Sequence, residues 1–519
     1  MKTMKPWKKL VAAILAIAMC VSASACGNSE SSSSQGSTAS PESSQTQRGN
    51  GEDVEYDQVV YALWTGNRLP DDCSDVEEAI NQITRDEIGV EVTIRPIASS
   101  EYANKVGLAM ASGEQLDIFN VLRNLNTYVS KNQVLDITDL IPECAQEAVD
   151  QVGERFMKAT QMNGRTYAIP TDKGVALNGN WYYRKSVMDE LGIDPSTIKS
   201  VEDLPAVFDK LLEIHPEMVP FVGSQGDSGL LKLLWNDDID FLGDGEQDSL
   251  GGVVIGDDPT VVNLYETQQF KDVVTMARDW YNKGYIGKDS ATTTSTVYEQ
   301  LASGKAFSYL ASQAGSYGAA EASTLVGETI ESIVLAKPYL STNSLGVAWA
   351  INSQCKVPES ALKFLDLTYT NEDIVNYLVF GIEGRDYVKV NDREVEYPEG
   401  LNADTVPYTA QFSCGVTGSQ FKQYEMVGTP EDNKEVMKND NDNARLSPFF
   451  GFNFDNSAVT SEYTAATNVI KQYIPGLACG SIDPETELPK LVQALNDAGA
   501  QTIIAEKQKQ LDAWLETNS

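Results

Sequence analysis

Val59-Val60-Tyr61-Ala62-Leu63-Trp64 is an apolar run of strand length, and the residues that follow it decide the fold. Ser74 and Glu77 have the spacing of a capping box, which predicts a helix N-terminus. Apolar residues then recur at helical spacing until Gly89, and residues 90–94 alternate as a second strand. A strand, a helix and a strand at this spacing form the crossover unit of a mostly parallel sheet.

A second unit of the same kind follows directly. Residues 100–110 predict a helix, residues 116–121 a third strand, and residues 123–126 a polar loop at the exit of that strand. In open parallel sheets, ligands bind beyond the carboxyl ends of the strands. We therefore expect Trp64 and the polar loop at the binding edge.

Composition limits the function classes. A chain of 519 residues with 42% hydrophobic residues is too long for one ordinary core, so two lobes are expected. The formal net charge of −36 argues against nucleic acid and anionic membrane surfaces as partners. A single histidine, His215, excludes the HExxH zinc motif, and no GxxxxGK[ST] loop is present for nucleotide binding. No cofactor is predicted.

Cysteines and acidic clusters give no metal motif. No two cysteines have metal-ligand spacing, so isolated or buried thiols are expected, with a disulfide left open because its pairing cannot be deduced from the sequence. The cluster Asp440-Asn441-Asp442-Asn443 could hold a metal ion, but it lacks the Gly and the terminal Glu of an EF-hand loop, and we predict a solvated turn there.

The N-terminus predicts export. Four lysines precede an apolar run over residues 10–21, and Ala23-Ser24-Ala25 leads into Cys26. This pattern resembles the lipobox of bacterial lipoproteins, with Ala23 where a leucine is usual. The resemblance implies a signal peptide over 1–25, a diacylglyceryl group on Cys26 and a flexible tether over 26–54. Ordinary secretion with cleavage after Ala25 is the alternative.

The middle of the chain carries a family resemblance. Residues 164–170 read GRTYAIP, Trp181-Tyr182-Tyr183-Arg184 follows, and Leu191-Gly192-Ile193-Asp194 precedes a helix start at Ser200. This order resembles the family 1 extracellular solute-binding proteins of carbohydrate ABC importers. The resemblance implies an α/β, two-lobed periplasmic-binding-protein-like fold of type II, with mostly parallel sheets joined by a hinge near Pro170. It implies lobe 1 over 55–169 and 338–390, lobe 2 over 170–337, and a subgroup-specific hairpin region with C-terminal helices, mainly in lobe 2, over 391–519.

A sugar site needs aromatic rings for flat C–H faces and planar polar groups for hydroxyls. The candidates in this sequence are Trp64, Asn67, Arg68, Asn120, Arg123, Asn124, Asn126, Trp181, Tyr183, Trp235, Asp237, Asp240, Tyr317, Trp349 and Phe452. Trp349 and Phe452 also fit a core, while Asp237 and Asp240 also fit helix caps or solvent. Three arginines, Arg68, Arg123 and Arg385, leave a uronate ligand open.

The resemblance predicts a monomeric, lipid-anchored protein on the extracellular face of the cell membrane. It would capture an oligosaccharide between its lobes and deliver it to the permease subunits of an ABC transporter, without catalysis. Two alternatives stay open from sequence: a lipid-anchored glycoside hydrolase that uses two carboxylates, and a peptide-binding importer component.

Overall fold

The computed structural model describes residues 55–66, 68–224, 226–236, 238–244, 252–409 and 415–518, with the side chains of 235 and 236 excepted. The predicted signal peptide, the tether and the lipidation site Cys26 lie outside this range, as do Asn67 and Asp237. No helix in the described part is long and apolar enough to cross a membrane. Among the same residues no group of acidic, histidine or cysteine side chains could hold a metal ion.

The strands, in chain order, are β1 (Asp57–Thr65), β2 (Val90–Ala98), β3 (Ile118–Asn120), β4 (Gln161–Met162), β5 (Arg165–Thr166), β6 (Ile169–Pro170), β7 (Asn178–Arg184), β8 (Val219–Phe221), β9 (Ile239–Asp240), β10 (Gly252–Ile255), β11 (Asp258–Asn263), β12 (Ala306–Gln313), β13 (Ile330–Ala336), β14 (Tyr339–Leu340), β15 (Ala348–Ile351), β16 (Val388–Lys389), β17 (Glu394–Glu396), β18 (Glu425–Met426) and β19 (Arg445–Leu446).

The α-helices are α1 (Ser74–Glu87), α2 (Tyr102–Ser112), α3 (Leu125–Ser130), α4 (Ile141–Cys144), α5 (Gln146–Val152), α6 (Glu154–Met157), α7 (Lys185–Leu191), α8 (Leu204–Ile214), α9 (Gln268–Lys283), α10 (Val297–Ala302), α11 (Gly318–Val326), α12 (Pro358–Thr370), α13 (Glu372–Phe380), α14 (Asn433–Asn443), α15 (Thr460–Ala478), α16 (Pro484–Asp497) and α17 (Ala500–Asn518).

Two sheets organise the body. The first has the order β2-β1-β3-β15-β6 and the second the order β13-β7-β12-β8. In the first sheet β1 pairs in parallel with β2 and β3, while β15 runs antiparallel to β3 and β6. In the second sheet β7 runs antiparallel to β12 and β13, and only β8 pairs in parallel. The strands joined by crossover helices are therefore parallel as predicted, while β15 in the first sheet and β7 in the second run antiparallel to both of their neighbours.

The hydrophobic cores follow the sheets. One core packs β1, β2 and β3 against helices α1, α12 and α13. Another packs β7 and β12 against α8 and α9 and against the C-terminal helices α15, α16 and α17. The C-terminal helices thus bury their apolar faces on the second sheet, although the chain has returned to the first sheet before them.

The start of α1 differs from the sequence prediction. Ser74 lies inside the helix, Cys73 is the N-terminal flanking residue, and no side chain caps the helix. Glu77 does not close a capping box, because its Oε1 accepts a 2.7 Å hydrogen bond from the backbone N–H of Ile94. The carboxylate therefore ties the helix to β2 instead of to its own N-terminus. The thiols of Cys73, Cys144, Cys355 and Cys479 are free.

Candidate ligand-binding cleft

Two segments connect the sheets, residues 171–177 from β6 to β7 and residues 337–347 from β13 to β15. A cavity of about 130 Å³ lies against both segments. Its walls also include the loop after β3, the strand β9 and the end of β12. The lining residues are Arg123, Lys173, Gly174, Val175, Leu177, Ile239, Phe241, Ser312, Pro338, Tyr339, Leu340, Ser341, Asn343, Ser344, Gly346 and Val347.

The loop after β3 carries Arg123 in an unusual backbone conformation. Leu122 and Arg123 have φ angles of 43° and 64°, a region that costs a non-glycine residue about 1 kcal/mol or more. The side-chain oxygen of Asn120 accepts a 3.0 Å hydrogen bond from Leu122 N–H, and Arg123 N–H donates to Gly346 O at 2.6 Å. These bonds hold the strained loop against the second connecting segment.

Gly346 provides the space for Arg123. A Cβ atom at position 346 would overlap the Cγ of Arg123, although the backbone of Gly346, at φ −67°, suits any residue. The glycine is therefore required by the close approach of the arginine and not by its own backbone. This packing fixes the start of the Arg123 side chain at the cavity wall.

The first connecting segment carries Lys173, which was not among the predicted ligand residues. Its carbonyl accepts a 2.7 Å hydrogen bond from Asn441 Nδ2, and Asn441 Oδ1 accepts from the backbone N–H groups of Val175 and Ala176 at 2.9 and 3.1 Å. Burial, and to a smaller extent the charge of Arg123, lower the pKa of Lys173 to about 8. The ammonium thus lies in a poorly solvated place beside a second cation.

The residues around Asn441 do not have the structure predicted for them. Residues 440–443 do not form a solvated turn but the last turn of α14. Asn441 is buried, and Asp440 accepts a 2.6 Å hydrogen bond from the side chain of Asn178 at the start of β7. The polar cluster therefore binds protein backbone and side chains.

Two uncharged polar atoms in the wall have no partner within the described ranges. Ser312 Oγ and Asn343 Oδ1 are buried and accept or donate no hydrogen bond among the described residues. Most buried polar groups are hydrogen-bonded, and leaving one unsatisfied costs about 1–3 kcal/mol. Both atoms are shielded from solvent in this conformation, so a bound molecule would reach them only after the wall rearranges.

Apolar and aromatic surface completes the wall. Phe241 and Tyr339 line the cavity, and burial raises the pKa of Tyr339 to about 12, so its hydroxyl stays protonated at neutral pH. Asp240, between two lining residues, is buried itself, and its Oδ1 accepts from Leu242 N–H at 2.7 Å. Burial raises the pKa of Asp240. The described lining contains no Asp or Glu side chain, so it lacks the carboxylate pair of a glycoside hydrolase.

The C-terminal helix α17 is linked to the cavity wall by polar contacts. Lys507 on α17 is fully buried, and its ammonium contacts Asp244 Oδ2 at 2.9 Å and Gly252 O at 2.9 Å. Asp244 O in turn accepts a hydrogen bond from the side chain of Asn343. A chain of polar contacts therefore runs from α17 to a residue of the cavity wall.

Of the predicted ligand residues, Arg123 alone is among the described lining residues. Arg68 donates to the carbonyls of Ala403 and Val406, at 3.2 and 2.6 Å, and so holds a loop. Trp64 is partly buried against Tyr102, with ring centroids 6.1 Å apart.

Five more predicted residues lie elsewhere. Asn120 and Asn126 are buried at the end of β3 and in α3, and the exposed Asn124 donates to Leu122 O. Tyr317 lines a separate pocket of about 230 Å³ beside α14. Trp235 lies in a short 3-10 turn over Leu230–Asn236.

Four predicted aromatic residues lie in hydrophobic cores. Trp181 and Tyr183 are buried in the second sheet with ring centroids 4.8 Å apart. Trp349 stacks on Tyr61 at 4.6 Å and donates its indole N–H to Val416 O, and Phe452 packs edge-on to Trp514. Their ring faces are therefore covered by other side chains.

The lining residues that were not predicted from the sequence lie in one part of the fold. Lys173, Tyr339 and Asn343 lie in or beside the two segments that connect the sheets. The segment GRTYAIP predicted a crossing near Pro170, which is where the first connecting segment begins. The polar residues that follow this segment were the sequence signal for this part of the site. Aromatic content instead favoured residues on strands, such as Trp181 and Trp349, as ligand candidates.

Comparisons with known proteins agree with this architecture. The model described as bacterial extracellular solute-binding protein matches residues 78–381, and one described as a domain of unknown function matches residues 448–516. A carbohydrate ABC transporter substrate-binding protein of Streptococcus pneumoniae serotype 4 is 25% identical over 519 residues, covering 99% of each chain.

Solved structures share the fold. The N-glycan transport solute-binding protein NgtS of Streptococcus pneumoniae is 24% identical, with a TM-score of 0.75 over 89% of this chain and 100% of that one. NgtS in complex with Man5GlcNAc is 25% identical, with a TM-score of 0.64 over 89% and 99%. These structures give the two sheets described above a periplasmic-binding-protein fold. Because the solute-binding model covers residues 78–381 of 519, the chain belongs to the bacterial extracellular solute-binding protein family.

Proposed function

We propose that this protein captures an oligosaccharide in the cleft between its two sheets and delivers it to an ABC importer. The observation that carries the proposal is the cavity wall, where Ser312 Oγ and Asn343 Oδ1 have no partner in the described part of the chain and lie beside the rings of Phe241 and Tyr339. Sugars need both kinds of group, because hydroxyls form hydrogen bonds and C–H faces pack on rings. The carbohydrate assignments of the relatives support the same ligand class.

The binding motion follows from the two connections. With sheets joined at residues 171–177 and 337–347, lobes over 55–169 with 338–390 and over 170–337 would close on the ligand, and the region 391–519 would move mainly with the second. The closed state would be the one that the permease subunits recognise.

The site of action in this proposal is the outer face of the cell membrane, with a monomer anchored only through lipid on Cys26. Nucleic acid is not a partner. Metabolic labelling with a radioactive fatty acid tests the anchor: we expect label in the wild-type chain, none in Cys26→Ala, and release of the variant into the medium. Label in the variant, or a wild-type chain that is free in the medium, would contradict it.

Thermal unfolding in the presence of oligosaccharides or peptides tests the ligand class. A ligand at 100 times its dissociation constant adds about 2.7 kcal/mol to the free energy of unfolding. We expect a rise in the unfolding temperature with oligosaccharides and none with peptides of similar size. Stabilisation by peptides alone would replace the proposal with a peptide importer.

Ser312→Ala tests the site itself. The hydroxyl has no partner among the described residues, so its removal should leave the unliganded protein as stable as before. Loss of one hydrogen bond to the ligand should weaken binding by about 3- to 10-fold. Ser130→Ala, on the exposed end of α3, is the matched control and should bind normally. Unchanged affinity in Ser312→Ala would remove this hydroxyl from the site.

A further inference from the structure

The cavity is lined by positively charged side chains, although the formal net charge of the chain is −36. Arg123 and Lys173 both line the cavity, and the described lining has no acidic side chain. In a chain with 75 acidic and 39 basic residues, a wall with two cations and no described carboxylate departs from the general balance.

Arg123 differs from the other described arginines. Every other arginine in the described ranges forms an ion pair or donates a side-chain hydrogen bond; these are Arg68, Arg85, Arg95, Arg155, Arg165, Arg184, Arg278, Arg385, Arg393 and Arg445. The guanidinium of Arg123 has neither within the same residues, although its backbone is held to Gly346. A strained loop thus presents a planar group of five donors that no described group engages.

Lys173 adds a second charge in the same place. Its backbone is fixed by Asn441, and no ion pair or side-chain hydrogen bond engages its ammonium in the described structure. The charge of Arg123 lowers its pKa further after burial has done so. Arg123 is exposed and Lys173 is partly exposed, so solvent screens part of the repulsion between the two cations, and a bound anion would cancel the remainder.

We infer that the oligosaccharide bound in this cleft carries an anionic group, which Arg123 and Lys173 hold between them. The inference rests on the proposed function and narrows its substrate class to acidic glycans. A guanidinium fork binds a carboxylate, sulfate or phosphate through two parallel hydrogen bonds, and an ammonium adds a point charge. The neighbouring Ser312 and Asn343 would bind hydroxyls of the same sugar or the next one.

A neutral ligand fits the same wall less well. Sugar hydroxyls can accept hydrogen bonds from both cations, but they leave the repulsion between Arg123 and Lys173 uncompensated. An anion removes that repulsion as it binds. The observation that favours the acidic ligand is therefore the pair of cations without a described counter-charge, and not the presence of donors alone.

Matched glycan pairs test the inference on the whole exported chain. Calorimetry would compare oligouronates, sialylated, sulfated and phosphorylated oligosaccharides with neutral counterparts in which the carboxylate is reduced or esterified, or the sulfate or phosphate is absent. We expect an acidic member to bind at least about 10-fold more tightly than its neutral counterpart. The four charged glycan types cover three anionic groups, carboxylate, sulfate and phosphate, and so distinguish which group is bound.

Two variants connect the preference to the residues. Arg123→Gln and Lys173→Gln should each lose about 10- to 100-fold in affinity for the acidic glycan, and change affinity for its neutral counterpart less. Lys199→Gln removes the same charge at an exposed position outside the cavity and should bind as the wild type does.

The outcomes separate the two proposals. Tight binding of a neutral glycan that neither variant weakens would overturn the acidic ligand and leave oligosaccharide capture standing. Binding of no glycan from either class would count against oligosaccharide capture itself, and the acidic ligand would fall with it. Equal losses with acidic and neutral members would mean that the cations bind hydroxyls, which also overturns the inference.

Discussion

Replacing Lys173 by glutamine should stabilise the unliganded protein. The pKa of this lysine falls from its ordinary 10.5 to about 8, and each pKa unit corresponds to about 1.36 kcal/mol. The full shift would amount to about 3 kcal/mol, but the side chain is partly exposed, so solvent reduces the effect to about 1–2 kcal/mol. A residue held at this cost, and whose removal stabilises the molecule, is typical of a binding site.

The sign of the pH dependence follows from proton binding. Below pH 8 the lysine is protonated in the folded and unfolded chains, so the folded state carries the whole penalty. Between pH 8 and 10.5 the unfolded chain binds more protons, so this lysine makes the free energy of unfolding rise with pH. The advantage of Lys173→Gln over the wild type should therefore be largest near pH 7 and disappear toward pH 10.5.

Urea unfolding followed by tryptophan fluorescence measures this difference at several pH values. Taking the variant minus the wild type at each pH cancels the titration of other groups. Lys199→Gln, at an exposed position, should show no such pH-dependent advantage. A Lys173→Gln protein that is less stable than the wild type at pH 7, or whose advantage does not shrink as the pH rises, would refute the reasoning.

Three further substitutions test the architecture of the cleft. Gly346→Ala should displace Arg123 and weaken binding of an acidic glycan by about 10-fold in calorimetry, with little backbone cost; unchanged binding would show that the arginine adapts. Asn441→Ala should lower the free energy of unfolding by about 2–4 kcal/mol through three lost backbone hydrogen bonds, whereas Asn443→Ala on the exposed side of the same helix should change it by under about 0.5 kcal/mol. Lys507→Met should cost about 3–5 kcal/mol in urea unfolding, because it removes the cation that neutralises the buried carboxylate of Asp244; a neutral result would mean that the packing of α17 compensates.

The first crossover unit was predictable because its signals are local. The strand over residues 59–64 and the strand over 90–94 lie within β1 and β2, and the helix between them is α1. Hydrophobic periodicity and a terminating glycine need no knowledge of the rest of the chain. The capping box failed because Glu77 met the N–H of Ile94, a partner that exists only after the helix packs on the sheet.

The candidate site was predictable only in part, because its residues are assembled by long-range contacts. Arg123 followed from the rule that ligands bind beyond the ends of strands. Trp181 and Trp349 have the composition of a sugar platform, but neighbouring strands and helices cover their rings. Lys173 depends on Asn441, which lies 268 residues later in the chain, and no local pattern connects the two.

The acidic surroundings of a basic cleft affect how fast an anionic sugar arrives. With a formal charge of −36, the body repels such a molecule at long range, over about 10 Å at 0.1 M salt. Moderate salt should therefore speed up the encounter while it shortens the residence time beside Arg123. For a cell that imports such sugars, a higher ionic strength outside the membrane would therefore raise the rate of capture and shorten the time for which the sugar stays bound.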